Sequence, residues 1–140
     1  MLFIIALSAF TVALCVAIHY EFLFRLSDFI CTLGINHRSR VVVGVMLALA
    51  AHVIEIIIFG GVYFLILDVE HIGGFIGTPI EDLADCIYFS FVTYTTLGFG
   101  DMIPQGWMRF VVGVEAMTGL VSIAWTASYL YFQMEQNWKD

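Results

Sequence analysis

Between positions 95 and 101 the chain reads Thr-Thr-Leu-Gly-Phe-Gly-Asp, and its two spaced glycines are a signal about backbone rather than side chains. Gly98 and Gly100 carry no Cβ, so either can adopt a positive φ without penalty. Alternating such residues with ordinary ones turns successive carbonyl oxygens toward one side, where they can replace the water shell of a dehydrated cation. The Thr96 hydroxyl can add a further ring of oxygens at one end. The surroundings suit a cation, because Asp68, Glu70, Glu81, Asp82, Asp85 and Asp101 all fall in one stretch of a chain whose net charge is -7.

A second group of chemistry-bearing residues, His52, Glu55 and Glu115, lies inside apolar runs. An ionisable side chain at that depth is costly and must face protein or water, which makes each a functional candidate. A proton sensor is one reading. The one adopted has Glu115 neutral or hydrogen-bonded to the helix that precedes the Thr95 segment, with His52 and Glu55 stapling neighbouring helices. A metal site is disfavoured, since one His and one Glu at i and i+3 supply only two ligands. The sequence holds no nucleophile with a nearby base, no convergent carboxylate pair and no metal cluster, so an enzyme, a cofactor and a small-molecule substrate are not expected.

The elements that must position these residues are membrane helices. A hydrophobic fraction of 61% and a mean hydropathy of +0.97 exceed what a soluble domain carries. Three apolar runs are each long enough to cross a bilayer: residues 1–24, 41–67 and 107–133. The first lacks the positive flank and small-residue cleavage site of a signal peptide, so it is expected to be retained. Five Lys and Arg in all cannot form a nucleic-acid footprint. Cys15, Cys31 and Cys86 lie on separate segments and are expected to be free thiols.

Three of the five positive charges, Arg25, Arg38 and Arg40, cluster in a loop expected over residues 25–40. The positive-inside rule makes that loop cytoplasmic, which puts the N-terminus outside, residues 68–104 outside, and the short tail 134–140 with Lys139 inside. The expected location is the plasma (inner) membrane. No span repeats arginine as a voltage sensor would, and the tail is too short for a sensor domain.

Thr78-Pro79-Ile80-Glu81 has the form of a helix start, with a hydroxyl N-cap, proline at N1 and glutamate at N3. Leu83, Ile87, Phe91 and Tyr94 then recur at helical spacing, predicting a helix over residues 79–95. It is too short to span and must enter the membrane and stop. From Pro79 through Pro104 to the end of the last helix, the sequence resembles the potassium-channel pore module, whose filter signature is Thr-Val-Gly-Tyr-Gly followed by Asp.

The resemblance implies an all-α membrane protein of three transmembrane helices, with a re-entrant pore helix and a filter (96–100) between the last two. It implies a homotetramer in the lipid bilayer that conducts potassium. The carbonyls of Thr96, Leu97, Gly98 and Phe99 would line the ion sites, with Gly100 completing the filter. The Leu97 and Phe99 side chains would point away into a supporting wall. The C-terminal end of the pore helix, near Tyr94 and Thr95, would favour a cation through the helix dipole.

Departures from the family pattern are Phe99 for tyrosine, Leu97 for Val or Ile, Tyr88 and Phe89 for paired tryptophans, and Val92 where some relatives carry a buried glutamate. They bear on filter rigidity. A non-selective monovalent cation channel and a non-conducting membrane subunit that docks a partner are the alternative functions. Gly119 lies near the family's gating hinge and can equally serve close helix packing. The same alignment makes Leu120, Ile123 and Ala127 candidates to line the cavity. Arg109 is expected either to pair with a carboxylate such as Asp101 or to be solvated, and Trp107 and Trp138 to anchor the two ends of the last span.

Overall fold

In lipid, an apolar chain must satisfy its backbone polar groups internally, and helices do so within one segment. The computed structural model describes residues 1–32, 34–69 and 71–137, and it is built accordingly. The order is α1 (Leu2–Thr32), α2 (His37–Leu67), β1 (Phe75–Gly77), α3 (Leu83–Tyr94), β2 (Met102–Pro104) and α4 (Met108–Asn137). Among the described residues, three helices are long and apolar enough to cross a membrane, within Leu2–Ile30, Arg38–Leu67 and Met108–Glu135. The chain is an all-α membrane protein, with α3 as the short apolar helix between the last two spans.

The face that α1 buries is its small and polar stripe. Ile4, Ser8, Thr11, Cys15, His19 and Leu23 are each at most 4% exposed, while Phe3, Phe10 and Phe24 on other faces stand open. Small and hydroxyl side chains let helices approach closely in lipid, where apolar surface alone gives no preference for protein over acyl chains. α4 repeats the pattern through Val111, Glu115, Thr118, Ser122 and Thr126, all buried. At the end of the bundle that holds the β-pair, Tyr63 and Phe75 both meet the Phe89 ring edge-on, with centroids 5.2 and 4.6 Å away.

Three stretches differ from expectation. α1 runs past position 24 to Thr32 and α2 begins at His37, so the loop expected over 25–40 contracts to the few residues between them. Burial of Leu26 and the one-turn Arg25–Glu21 ion pair carry the helix onward. Arg38 and Arg40 then lie in the first turn of α2, at the same end of the bundle as Arg25.

The start of α3 is the second difference. It is Leu83 and not Pro79, and its N-cap is Asp82, whose carboxylate accepts the Asp85 amide at 3.0 Å. Asp85 reaches back to accept the Glu81 amide at 2.8 Å. Thr78 does not cap. Its amide instead donates to the Asp101 carbonyl at 2.9 Å, extending the β1–β2 ladder. The residue before a proline favours extended backbone, so the ladder takes the segment the helix was expected to use.

The third difference is that α4 begins at Met108 and continues to Asn137, beyond the expected 107–133. The antiparallel β-pair, with Phe75 opposite Pro104 and Gly77 opposite Met102, brings together the two ends of the re-entrant unit. Leu33, Glu70, Trp138 and Lys139, with the Cys31 side chain, lie outside what is described, and with them the expectations placed on Glu70, Cys31, Trp138 and Lys139.

Candidate functional site

α3 ends because its last turn is capped by the chain that follows. The Thr95 amide bonds to the Phe91 carbonyl at 3.2 Å and the Thr96 amide to Thr93 at 2.9 Å. The amides of Leu97 and Gly98 both return to the Val92 carbonyl, at 3.0 and 3.3 Å. With the amides turned back into α3, the carbonyls of Thr96, Leu97, Gly98 and Phe99 accept no hydrogen bond among the described residues. Four consecutive acceptors are thus left bare where the chain leaves a helix C-terminus that itself carries partial negative charge.

The dihedral pattern explains the arrangement. Positive φ falls on Thr96 (57°), Gly98 (57°) and Gly100 (79°), alternating with Leu97 and Phe99. The glycines were legible in the sequence. Thr96 was not, and a β-branched residue there carries roughly 1–2 kcal/mol of backbone strain. Leu97 and Phe99 are 59% and 64% exposed, so the wall expected around them is not supplied by their own chain. Behind the segment, Val92, Val112 and Ala116 help to line a groove of about 420 Å³.

Beside this strand, the Tyr88 hydroxyl donates to the Asp101 carboxylate at 2.9 Å. That bond holds the Tyr88 phenol above its usual range. It also ties the end of the segment to α3, which the phenyl ring of Phe99 cannot do. Arg109 does not pair with Asp101. Its guanidinium donates to the Pro104 carbonyl at 3.1 Å and to the Gln105 side chain at 3.4 Å, both within its own turn. Trp107 is 40% exposed at the same end of α4.

Two buried polar networks brace the segment. In the first, Glu115 on α4 accepts from Tyr63 of α2 at 2.5 Å and from Ser90 of α3, whose hydroxyl also lies 2.8 Å from the Ile56 carbonyl. In the second, Glu55 of α2 accepts from His19 of α1 at 2.7 Å and from the Tyr94 hydroxyl. His52 Nδ1 lies 3.0 Å from the Tyr94 oxygen. Thr126 Oγ1 of α4 lies 3.1 Å from Nε2 of both histidines. The structure thus brings His52 and Glu55 together with His19, a residue of the first apolar run that was not among the candidates. Tyr63, Ser90, Tyr94 and Thr126 were missed as well, and the usable signal for His19 was its place on the small, polar stripe of α1.

Gly119 is buried where α4 crosses the end of α3, and a Cβ there would overlap the Tyr94 carbonyl oxygen. Leu120, Ile123 and Ala127 fall on a face of α4 that the chain leaves uncovered, the first two 60% and 41% exposed. Among the described residues, nothing covers that face or pairs with the Thr96–Phe99 carbonyls. A family model described as an ion channel matches residues 51–136, more than half of the chain. No curated protein and no solved structure matches it.

Proposed function

This chain belongs to the ion channel family, and from that premise we propose that four copies close a pore that passes potassium in preference to sodium. The observation that carries the reading is the run of four carbonyls, Thr96 to Phe99, with no acceptor role among the described residues. Non-helical backbone at membrane depth is tolerated only where it is buried in protein or lines water, and carbonyls left unpaired there favour the second. One chain supplies one strand of such a lining, so a closed ring requires copies, and the pore module it resembles uses four.

In that ring, ions pass from Phe99 to Thr96 and reach a cavity bordered by Leu120, Ile123 and Ala127. The exposed Leu97 and Phe99 side chains pack against neighbouring subunits. Asp101, held by Tyr88, sits at the outer mouth with the other acidic residues of the 68–101 stretch. Gly119 is the point at which α4 bends when the inner end opens. The arginines of the α1–α2 junction face the cytoplasm, so the chain sits in the plasma (inner) membrane with its N-terminus outside.

Assembly and ion binding are tested together. Cross-linking in mild detergent is expected to give a ladder ending at four copies, and potassium is expected to raise the melting temperature of that species relative to sodium. An ion held only by the assembled filter stabilises it by mass action, about 2.7 kcal/mol at a hundred times its dissociation constant. A dimer whose melting is indifferent to the ion would overturn the proposal.

A further inference from the structure

The second buried network is one positive charge short of satisfying itself. His19 Nδ1 and the Tyr94 hydroxyl both spend their protons on Glu55, so His52 Nδ1 must donate to the Tyr94 oxygen. Both Nε2 atoms are then bare, and each faces Thr126 Oγ1, which has one proton for two acceptors. One contact is left lone pair to lone pair unless the cluster holds one further proton or a metal cation in its place. In lipid such a deficit is expensive, because no water can repair it.

The reverse assignment removes the conflict. If each ring carries its proton on Nε2, Thr126 accepts from both with its two lone pairs, and the two Nδ1 lone pairs turn toward the Glu55 carboxylate. Orientation of ligating imidazoles by a hydrogen bond on the far nitrogen is the usual outer shell of a metal site. We propose that His19, His52 and Glu55 bind one divalent transition-metal ion of the zinc class, with the Tyr94 oxygen completing four donors.

The geometry fits that class. The ligand atoms of the three residues lie within 4.8 Å of one another. His19 Nδ1 is 2.7 Å from Glu55 Oε1, and His52 Nδ1 is 3.9 Å from Glu55 Oε2. Metal bonds of about 2.0–2.2 Å at tetrahedral angles need donors roughly 3.3–3.6 Å apart, which lies between those separations. Two imidazoles and oxygen donors suit zinc or its neighbours better than calcium or magnesium. His19 and Glu55 are fully buried and His52 is 9% exposed. Access is from a groove of about 560 Å³ that His52, Tyr94 and Thr126 border.

The ligands come from α1, α2 and the last residue of α3, immediately before the bare carbonyls. A bound ion therefore fixes the first helix to the end of the re-entrant unit. This assigns α1 a role that a helix packed by apolar contact alone would not have.

The test is binding, so it stands apart from any measurement of ion flux. Full-length protein carrying a histidine-free tag is stripped with chelator, loaded with zinc and analysed by elemental mass spectrometry. About one ion per chain is expected, kept in the His37→Gln/His71→Gln variant and lost in His19→Gln and in Glu55→Gln. Because the last two variants can fail to fold, the wild-type protein is also titrated with cobalt. Intense visible bands of four-coordinate cobalt, saturating at one equivalent, are expected. Substoichiometric zinc, a pale six-coordinate cobalt spectrum, or binding that disappears with His37 and His71 would overturn the proposal. In the first two cases the cluster is held by protons, and in the third the metal binds elsewhere on the chain.

Discussion

Replacing Glu115 separates its hydrogen bonding from its charge. Glu115→Gln keeps the shape. The amide oxygen accepts from Tyr63, the amide nitrogen donates to Ser90 Oγ, and the Ser90 proton goes to the Ile56 carbonyl, 2.8 Å away. Tyr63, Ser90 and the Ile56 carbonyl all stay paired and only one N–H of the new amide is left over, so the change should cost about 1 kcal/mol. Glu115→Ala leaves the buried Tyr63 hydroxyl without its acceptor, roughly 1–2 kcal/mol after allowing for the modest value of interhelical hydrogen bonds in membranes. It also opens a cavity of about 60 Å³, worth roughly another 1.5 kcal/mol.

The expected total for alanine is thus about 2.5–3.5 kcal/mol, well above the glutamine cost. Unfolding in mixed micelles, followed by far-ultraviolet circular dichroism, reads the difference, with Tyr63→Phe and the Tyr63→Phe/Glu115→Gln pair closing a double-mutant cycle. Equal costs for glutamine and alanine would mean that the charge, and not the hydrogen-bond geometry, holds the three helices together, and the reasoning would fail.

Gly119→Ala should destabilise the fold by about 1–3 kcal/mol, because the added methyl meets the Tyr94 carbonyl rather than open space, and thermal melting reads it. Gly113→Ala, with nothing within 4 Å of its Cβ, is the matched control expected to be neutral or slightly stabilising. For topology, a cysteine at Gly74 should react with an impermeant maleimide from outside and one at Ser39 only from inside. Gly74 suits the label because a Cβ there meets nothing within 4 Å, whereas one at the neighbouring Gly73 would collide with the Gln105 carbonyl. The native Cys86 thiol should stay silent, being buried and pushed up by that burial and by the nearby Asp85 and Asp82 carboxylates. Labelling of positions 39 and 74 from the same side would overturn the topology.

Much of this architecture is written in the sequence because membrane spans and glycine-dependent backbone are local properties. Three apolar runs gave three helices, and Gly98 and Gly100 have positive φ where the spacing predicted it. The start of α3 misled because Thr78-Pro79-Ile80-Glu81 and Asp82-Leu83-Ala84-Asp85 both satisfy a capping pattern. The choice was made by pairing with Asp101, more than twenty residues downstream. Thr96 was illegible for a related reason, since its left-handed backbone follows from where α3 terminates. The His19–Glu55–Tyr94–His52–Thr126 cluster draws on four helices, and periodicity along one helix cannot say which residue of another meets it.

The measurement that bears most directly on the central claim is cation flux from liposomes holding the purified chain, under a potassium gradient and then a sodium gradient. The account predicts rapid potassium flux and little sodium flux. Gly98→Ala should abolish selectivity or conduction while leaving helix content unchanged, since its φ of 57° is one that a Cβ disfavours. Equal flux of the two ions would contradict potassium selectivity, and no flux from verified tetramers would contradict conduction itself.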